Sequence, residues 1–236
     1  MRNLFVTILI FLNAHMVWGE ASRSFDGSND EISAGDVLNV TTGNVSICAW
    51  TKLTEDASAD FVIGKDSGEA GVPGYHLVQT TSDLLNFNVS DDGVDVTAAS
   101  VTDTDEAWAF YCGTFDATND ILRIYTNGVN DGTNDSSGIN SLTNAVNFKM
   151  GEDGGEFNDA SGVIGYGKQF AAILTAVEVN EIMWYPERIV IATPNIFWPI
   201  WGDATEVDLA AALDGTPTGT SVSTDGPPVM IGNPAL

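Results

Sequence analysis

The sequence has few basic residues. Eight lysines and arginines stand against 33 acids, which gives a formal net charge of −25 at pH 7. A surface this acidic repels phosphate groups, so the composition excludes nucleic acid and anionic membrane surfaces as partners. The acids are scattered rather than clustered, a distribution typical of a solvated, salt-tolerant surface. A dedicated store of cations is the alternative that the same charge leaves open.

Residues that carry enzymatic chemistry are also scarce. The chain has two histidines: His15 lies within the first nineteen residues, and His76 has no cysteine or second histidine near it in sequence. Neither a zinc site nor a Ser-His-Asp triad therefore has enough parts. We interpret His76 as an ordinary strand residue and predict that the protein is not an enzyme.

The first nineteen residues differ in composition from the rest of the chain. Arg2 precedes an apolar run at residues 4–12, and a more polar stretch then ends in Gly19. This pattern is typical of a signal peptide with a small residue at the cleavage site, and the run is too short to span a bilayer comfortably. We predict that residues 1–19 are removed on export, that the mature chain has no membrane span, and that the protein is secreted.

Two-residue alternation interrupted by turn residues dominates the remaining sequence. The stretch 108–128 begins as a strand with apolar groups on both faces, turns at residues 116–120 and returns as a second strand. That strand ends in Asn127-Gly128, a dipeptide that favours a tight hairpin turn. Similar strands and turns recur from residue 45 to residue 151, so we predict an antiparallel, all-β domain.

One segment has the period of a helix instead. Thr175 is a suitable N-cap, and Glu178 stands three positions later as in a capping box. Val179, Ile182 and Met183 share one face. The pattern predicts one short helix late in the chain, and Pro186 ends it.

The hairpin around Asn127-Gly128 carries a family resemblance. Its large aromatic residue, strand cysteine and polar turn, with the ending Tyr-x-Asn-Gly, resemble the central hairpin of laminin G-like or pentraxin-like jelly rolls, which belong to the concanavalin A-like lectin and glucanase superfamily. Segments 24–30, 45–50 and 162–175 fit the same pattern in the same order. The resemblance implies an all-β, antiparallel two-sheet jelly-roll sandwich with one short late helix.

The resemblance also suggests how the chain is divided. We predict a signal peptide at 1–19, a laminin G-like sandwich at 20–188 and a C-terminal extension at 189–236 that completes the same sandwich. The extension resembles the stretch that usually precedes Phe-Asp-Gly in such domains, although here it comes last. We therefore predict that residues 197–200 pair beside the strand that contains Phe25.

The chain contains only two cysteines, Cys48 and Cys112, and each lies in the middle of a family-like strand. Pentraxins and several laminin G-like domains join two cysteines at similar places, so the resemblance implies a disulfide here. An even cysteine count and an export signal favour the same conclusion. Two buried free thiols that act as small apolar side chains are the alternative.

Calcium is the cofactor that the resemblance implies. Calcium needs about six to eight oxygen ligands, which loops at the rim of a sandwich can supply. The candidates are two groups, one by resemblance and one by loop chemistry: Asp26, Asn29 and Asp30, and Glu152, Asp153 and Asp159. Relatives usually carry an aspartate directly after the Gly-x-Ile of the late strand, whereas here Gly165 follows Ile164. This departure weakens the calcium prediction.

The resemblance allows both sugar binding and sugar hydrolysis. A glucanase of this superfamily needs a Glu-x-Asp-x-x-Glu strand, and the sequence has none. A binding site would use exposed aromatic residues, because sugars offer apolar ring faces. Four aromatic residues lie near predicted element ends: Trp184, Tyr185, Trp198 and Trp201.

We therefore predict a secreted, non-catalytic recognition module for glycans or surface proteins, with a carbohydrate or glycoprotein as its ligand and calcium as its implied cofactor. The alternative is a structural subunit or decoration protein on a virion surface or in an extracellular filament. In that case the partners are other virion components or further copies of the chain, and retention of residues 1–19 would favour it.

Overall fold

The computed structural model describes residues 22–41, 43–54, 58–69, 72–104, 106–155, 158–187, 193–200 and 202–229. These residues form fifteen strands and one helix. The predicted signal peptide at 1–19 lies outside the described residues. None of the described helices has the length and apolar character needed to cross a membrane.

The strands form two antiparallel sheets. The first sheet has the spatial order β10 (Val129–Asp135), β9 (Ile121–Thr126), β8 (Ala109–Asp116), β3 (Val45–Leu53), β12 (Ser161–Phe170), β1 (Arg23–Asp26) and β15 (Ser221–Val222), with β13 (Ile196–Trp198) also on β12. The second has the order β14 (Thr216–Thr218), β2 (Glu31–Ser33), β11 (Lys149–Met150), β4 (Asp60–Lys65), β5 (Gly74–Gln79), β6 (Leu85–Asp91) and β7 (Val94–Ala99).

The main core lies between the two sheets. Alternate residues of β5 and β6, such as Leu77 and Phe87, are fully buried there with residues of β3 and β8. Gly113 of β8 allows the close approach of the sheets, because a Cβ at this position would lie 2.2 Å from the ring of Phe87. The all-β sandwich predicted from the alternating pattern is confirmed.

A second apolar cluster covers the outer face of the first sheet. Helix α1 (Ala176–Trp184) packs there with Val179 and Met183 against Trp50 and Phe110. Both hydrogen bonds of the predicted capping box are present at its N-terminus. The first sheet is therefore covered on both faces.

Cys48 and Cys112 lie directly opposite each other on β3 and β8 and form a disulfide. Both residues are fully buried in the second apolar cluster. The disulfide implied by the family resemblance is confirmed, and the alternative of two free thiols is wrong.

The C-terminal segment adds strands to both sheets. β13 pairs with residues 167–169 of β12, β14 pairs with β2, and β15 pairs with β1. The prediction that residues 197–200 pair beside the Phe25 strand is wrong in detail. β1 occupies only the first half of the ten-residue strand β12, so β13 takes the second half of the same edge, and residues 221–222 lie beside β1 instead.

Lys168 of β12 is a buried cation whose removal should stabilise the protein. Its Nζ donates to the Pro186 carbonyl and lies 4.0 Å from the centre of the Phe197 ring. Burial lowers the pKa of Lys168 to about 7, although Glu187 partly opposes the shift. Because the folded pKa lies below the usual value of 10.5, this lysine destabilises the fold most below pH 7, and the penalty disappears as the pH rises towards 10.5.

We expect Lys168→Met to raise the free energy of unfolding near neutral pH by about 1–3 kcal/mol, despite the loss of the donor to Pro186. Urea unfolding across the pH range measures this difference, which should shrink above neutral pH. Lys149→Met is the control. Lys149 is ion-paired with Glu31 and Glu152, so this variant should have a lower free energy of unfolding than the wild type. Destabilisation by Lys168→Met at every pH would contradict the prediction.

Candidate functional site

The outer face of the second sheet carries an open groove of about 450 Å³. We name it the outer groove, and its polar floor consists of Gln79, His76, Asn86, Asn88 and Thr97. His76, Asn86, Asn88 and Thr97 occupy the positions that alternate with core residues, whereas Gln79 has the register of the core residues of β5 and lies at the end of that strand. The face that the helix leaves uncovered is thus the polar one.

His76 holds a central position in the outer groove. It lies opposite Gly64 on one neighbouring strand and Asn88 on the other. A Cβ at position 64 would lie 2.5 Å from the His76 Cβ, so glycine is required for the imidazole to sit there. The buried ring of Phe61 stacks on the imidazole with 5.6 Å between ring centres. The imidazole is therefore held in place by packing.

A chain of polar contacts runs through His76. Nδ2 of Asn88 lies 2.9 Å from His76 Nε2, and Oδ2 of Asp66 lies 3.2 Å from His76 Nδ1. Because the Asn88 amide nitrogen can only donate, Nε2 accepts from it, while Nδ1 is buried near the Asp66 carboxylate without a hydrogen-bond partner. Asp66 is fixed in turn by a hydrogen bond of 2.7 Å from the Gly68 backbone N–H. These contacts engage the amide nitrogen of Asn88 and leave its amide oxygen without a hydrogen-bond donor.

Two acceptors at the floor of the outer groove have no hydrogen-bond donor. They are the amide oxygens Oδ1 of Asn88 and Oε1 of Gln79. Gln79 is only 5% exposed, and its Nε2 contacts Asp83 Oδ1 at 3.4 Å. A buried acceptor without a partner is costly, which marks these two atoms as places where a bound ligand could supply hydrogen bonds.

The charged residues around the outer groove are acidic. Asp66, Glu69 and Asp95 line it, and none of the described lining residues is lysine or arginine. Lys65 is next to Asp66 in sequence, but its ammonium is buried and donates to Asp36 and to the Val146 carbonyl. The outer groove therefore has a negative electrostatic potential.

The two groups of predicted calcium ligands meet at one rim of the sandwich. Glu152 and Asp159 form an isolated bridge, and the negative charges of Asp26 and Asp159 contribute to the raised pKa of Asp30, whose main cause is burial. Burial likewise raises the pKa of Glu152, although Lys149 opposes the shift. Sequence reasoning thus selected residues that the fold does bring together.

Several oxygens at this rim already have partners within the protein, whereas Oδ1 of Asp159 is buried without a hydrogen-bond partner. The ammonium of Lys149 lies 2.8 Å from Glu152 and 2.7 Å from Glu31. Asp30 accepts from the Asp26 backbone N–H, and Asp153 accepts from Gly155. The predicted ligand Asn29 donates to Ser28. Within the described ranges, no three histidine, cysteine or acidic side chains form a group that could hold a metal ion. Lys149 therefore neutralises part of this acidic rim, and calcium binding there stays a prediction.

The aromatic candidates occupy other parts of the molecule. Trp198 is fully buried between the sheets, and its Nε1 donates to the Leu213 carbonyl at 3.0 Å, so its selection as a ligand-binding residue is wrong. Trp184 and Tyr185 are half-buried at the end of α1, on the face opposite the outer groove. Trp201 lies outside the described residues.

The sequence analysis interprets His76 as an ordinary strand residue and therefore does not identify the outer groove. The signal was nevertheless present in the sequence. The strands around His76 and Asn88 alternate apolar core residues with imidazole and amide side chains, so one face of adjacent strands is mainly polar, with Val78 as an apolar residue on it. Sequence alone does not say that this face is concave and uncovered.

The two antiparallel sheets pack face to face and define a jelly-roll sandwich of the kind found in lectins. The helix covers the outer face of the first sheet, and the outer face of the second sheet carries the outer groove. A family model described as the concanavalin A-like lectin/glucanases superfamily matches residues 26–180, well over half of the chain. The chain belongs to this family. No curated protein sequence matches it significantly.

Solved structures show the same fold at low sequence identity. A putative carbohydrate-binding protein from Bacteroides ovatus is 15% identical with a TM-score of 0.69, covering 90% of this chain and 62% of that one. A heptameric pentraxin from Limulus polyphemus is 14% identical with a TM-score of 0.54, covering 68% and 80%. The ligand-binding domain of botulinum neurotoxin serotype D, solved with N-acetylneuraminic acid, is 14% identical with a TM-score of 0.55, covering 72% and 43%.

Proposed function

We propose that the protein is a secreted, non-catalytic carbohydrate-binding module and that the outer groove is its binding site. The observation that carries this proposal is the pair of donorless amide oxygens, on Asn88 and Gln79, at the floor of the groove. Sugar hydroxyls are donors of the right kind for such acceptors. Membership of a family of lectins and glucanases supports the same conclusion.

The geometry around His76 favours binding over hydrolysis. The imidazole nitrogen that could accept a proton, Nε2, already contacts the Asn88 amide at 2.9 Å. Nε2 is thus engaged by the Asn88 amide, which suits a side chain that positions Asn88 rather than one that transfers protons. The packed Phe61 beneath it keeps this arrangement rigid.

We expect Asn88→Ala to weaken glycan binding about tenfold or more, because it removes both an acceptor for the sugar and the partner of His76. The measurement is a glycan array followed by titration calorimetry on the strongest hit. Asn130→Ala is the matched control, since Asn130 lies on an exposed part of β10 away from the groove. Melting temperatures of both variants show whether the fold is intact.

Unchanged affinity in a folded Asn88→Ala variant would overturn the assignment of the outer groove. Trp184→Ala and Tyr185→Ala test the aromatic alternative at the end of α1 in the same assay. Running the titrations with added calcium and with a chelator tests calcium assistance, which stays a prediction. If no glycan binds and light scattering shows large assemblies, the structural-subunit alternative takes precedence.

A further inference from the structure

We propose that the outer groove selects glycans that carry a free, protonated amino group and rejects glycans that carry an acidic group. This inference rests on the proposed function and names the ligand class of the same site. It follows from the balance of donors, acceptors and charges along the groove.

The floor of the outer groove offers two acceptors that lack donors, beside one buried imidazole nitrogen, Nδ1 of His76, that lacks a hydrogen-bond partner. The amide oxygens of Gln79 and Asn88 lack donors, while the amide nitrogens of both residues face protein acceptors at Asp83 and His76. Because Gln79 is more than nine-tenths buried, its orphaned oxygen is not compensated by bulk water. A ligand that donates several hydrogen bonds complements this floor, and an ammonium group donates three.

The walls of the outer groove add negative charge from two places in the fold. Asp66 and Glu69 lie in the same loop after β4, and Asp95 lies on β7 at the far side. A cation in the groove therefore has carboxylates on two sides. Charge-assisted hydrogen bonds of this kind are stronger than those between neutral groups.

The same walls disfavour an acidic sugar. The described lining contains no lysine or arginine, the only imidazole faces Asp66 and Asn88, and the ammonium of Lys65 is engaged elsewhere. A carboxylate or sulfate in the groove would thus be desolvated beside like charges without a cationic partner. The net charge of −25 adds repulsion at long range.

A titration with three trisaccharide-sized probes tests this selectivity at about pH 6, where a sugar amine is protonated and aspartates and glutamates are ionised. The probes are a glucosamine oligomer, its N-acetylated counterpart and sialyllactose. We expect the amine form to bind about tenfold more tightly than the N-acetylated form, and sialyllactose to bind least. The preference should shrink in high salt, because screening weakens exposed charge pairs.

Charge-neutralising variants separate the groove from the general acidity of the surface. Asp95→Asn and Glu69→Gln should each reduce the preference for the amine form. Asp120→Asn, which removes one charge from an exposed turn of the other sheet, should leave that preference unchanged. A preference that survives in both groove variants but falls with Asp120→Asn would overturn the inference.

The two proposals fail in different ways. If the N-acetylated or the sialylated probe binds as tightly as the amine and Asn88→Ala abolishes that binding, the groove is a glycan site and only the amine selectivity is wrong. If no probe binds and the glycan array is empty, the proposed function itself is wrong.

Discussion

Replacing Glu206 by glutamine should lower the free energy of unfolding by about 3–5 kcal/mol, because it leaves the guanidinium of Arg23 buried without its counter-ion. Nε of Arg23 lies 2.5 Å from Oε1 of Glu206, and the two side chains are 6% and 1% exposed. The same carboxylate oxygen accepts from the Gly202 backbone N–H at 3.0 Å. Arg23 also bonds Thr220 and the Asp203 carbonyl, so one side chain of β1 ties together three points of the C-terminal segment.

Urea unfolding at neutral pH measures this loss, and an exposed ion pair provides the control. Lys52 and Asp225 lie 2.6 Å apart, but their side chains are 38% and 44% exposed, so Lys52→Gln should cost less than about 1 kcal/mol. Equal losses in Glu206→Gln and Lys52→Gln would contradict the prediction. The expected difference would mean that the C-terminal segment contributes to the stability of the whole sandwich rather than being attached to its surface.

Local sequence patterns predicted much of the fold because the interactions behind them are local. The alternation in β3 and β8, the Asn127-Gly128 turn and the capping box at Thr175 each depend on residues within a few positions of one another. Local patterns do not predict the disulfide, because it joins residues 64 apart in sequence. The family resemblance supplied that pairing. The sheet partners of the C-terminal strands depend on which edge of β12 is still free, which no local pattern encodes.

The candidate site was harder to predict, because it depends on which faces of the sheets are covered. Trp198 appears suited to sugar stacking in the sequence, yet β13 pairs inside the first sheet and turns this ring into the core. His76 appears unremarkable, yet its strand faces a surface that no described helix covers. Chemistry on a sheet surface arises from residues on several strands, and their register is a long-range property.

Replacing Cys48 and Cys112 together by alanine should lower the free energy of unfolding by about 4 kcal/mol, according to the chain-entropy account for a crosslink between residues 64 apart. The unfolded chain gains freedom when the crosslink is lost, and the buried cluster around Trp50 also loses two sulfur atoms. Equilibrium unfolding in guanidinium, with and without a reductant, measures the change.

The single variants distinguish the crosslink from simple packing. Either Cys48→Ala or Cys112→Ala breaks the disulfide, so each should cost nearly as much as the double variant, whereas lost packing alone would make the two single losses add up. Reductant should destabilise the wild type by a similar amount and leave the double variant unchanged. Additive single losses, or a double variant as stable as the wild type, would contradict the prediction. A large, non-additive loss would instead mean that the sandwich depends on an oxidising compartment for its full stability, as the proposed secretion requires.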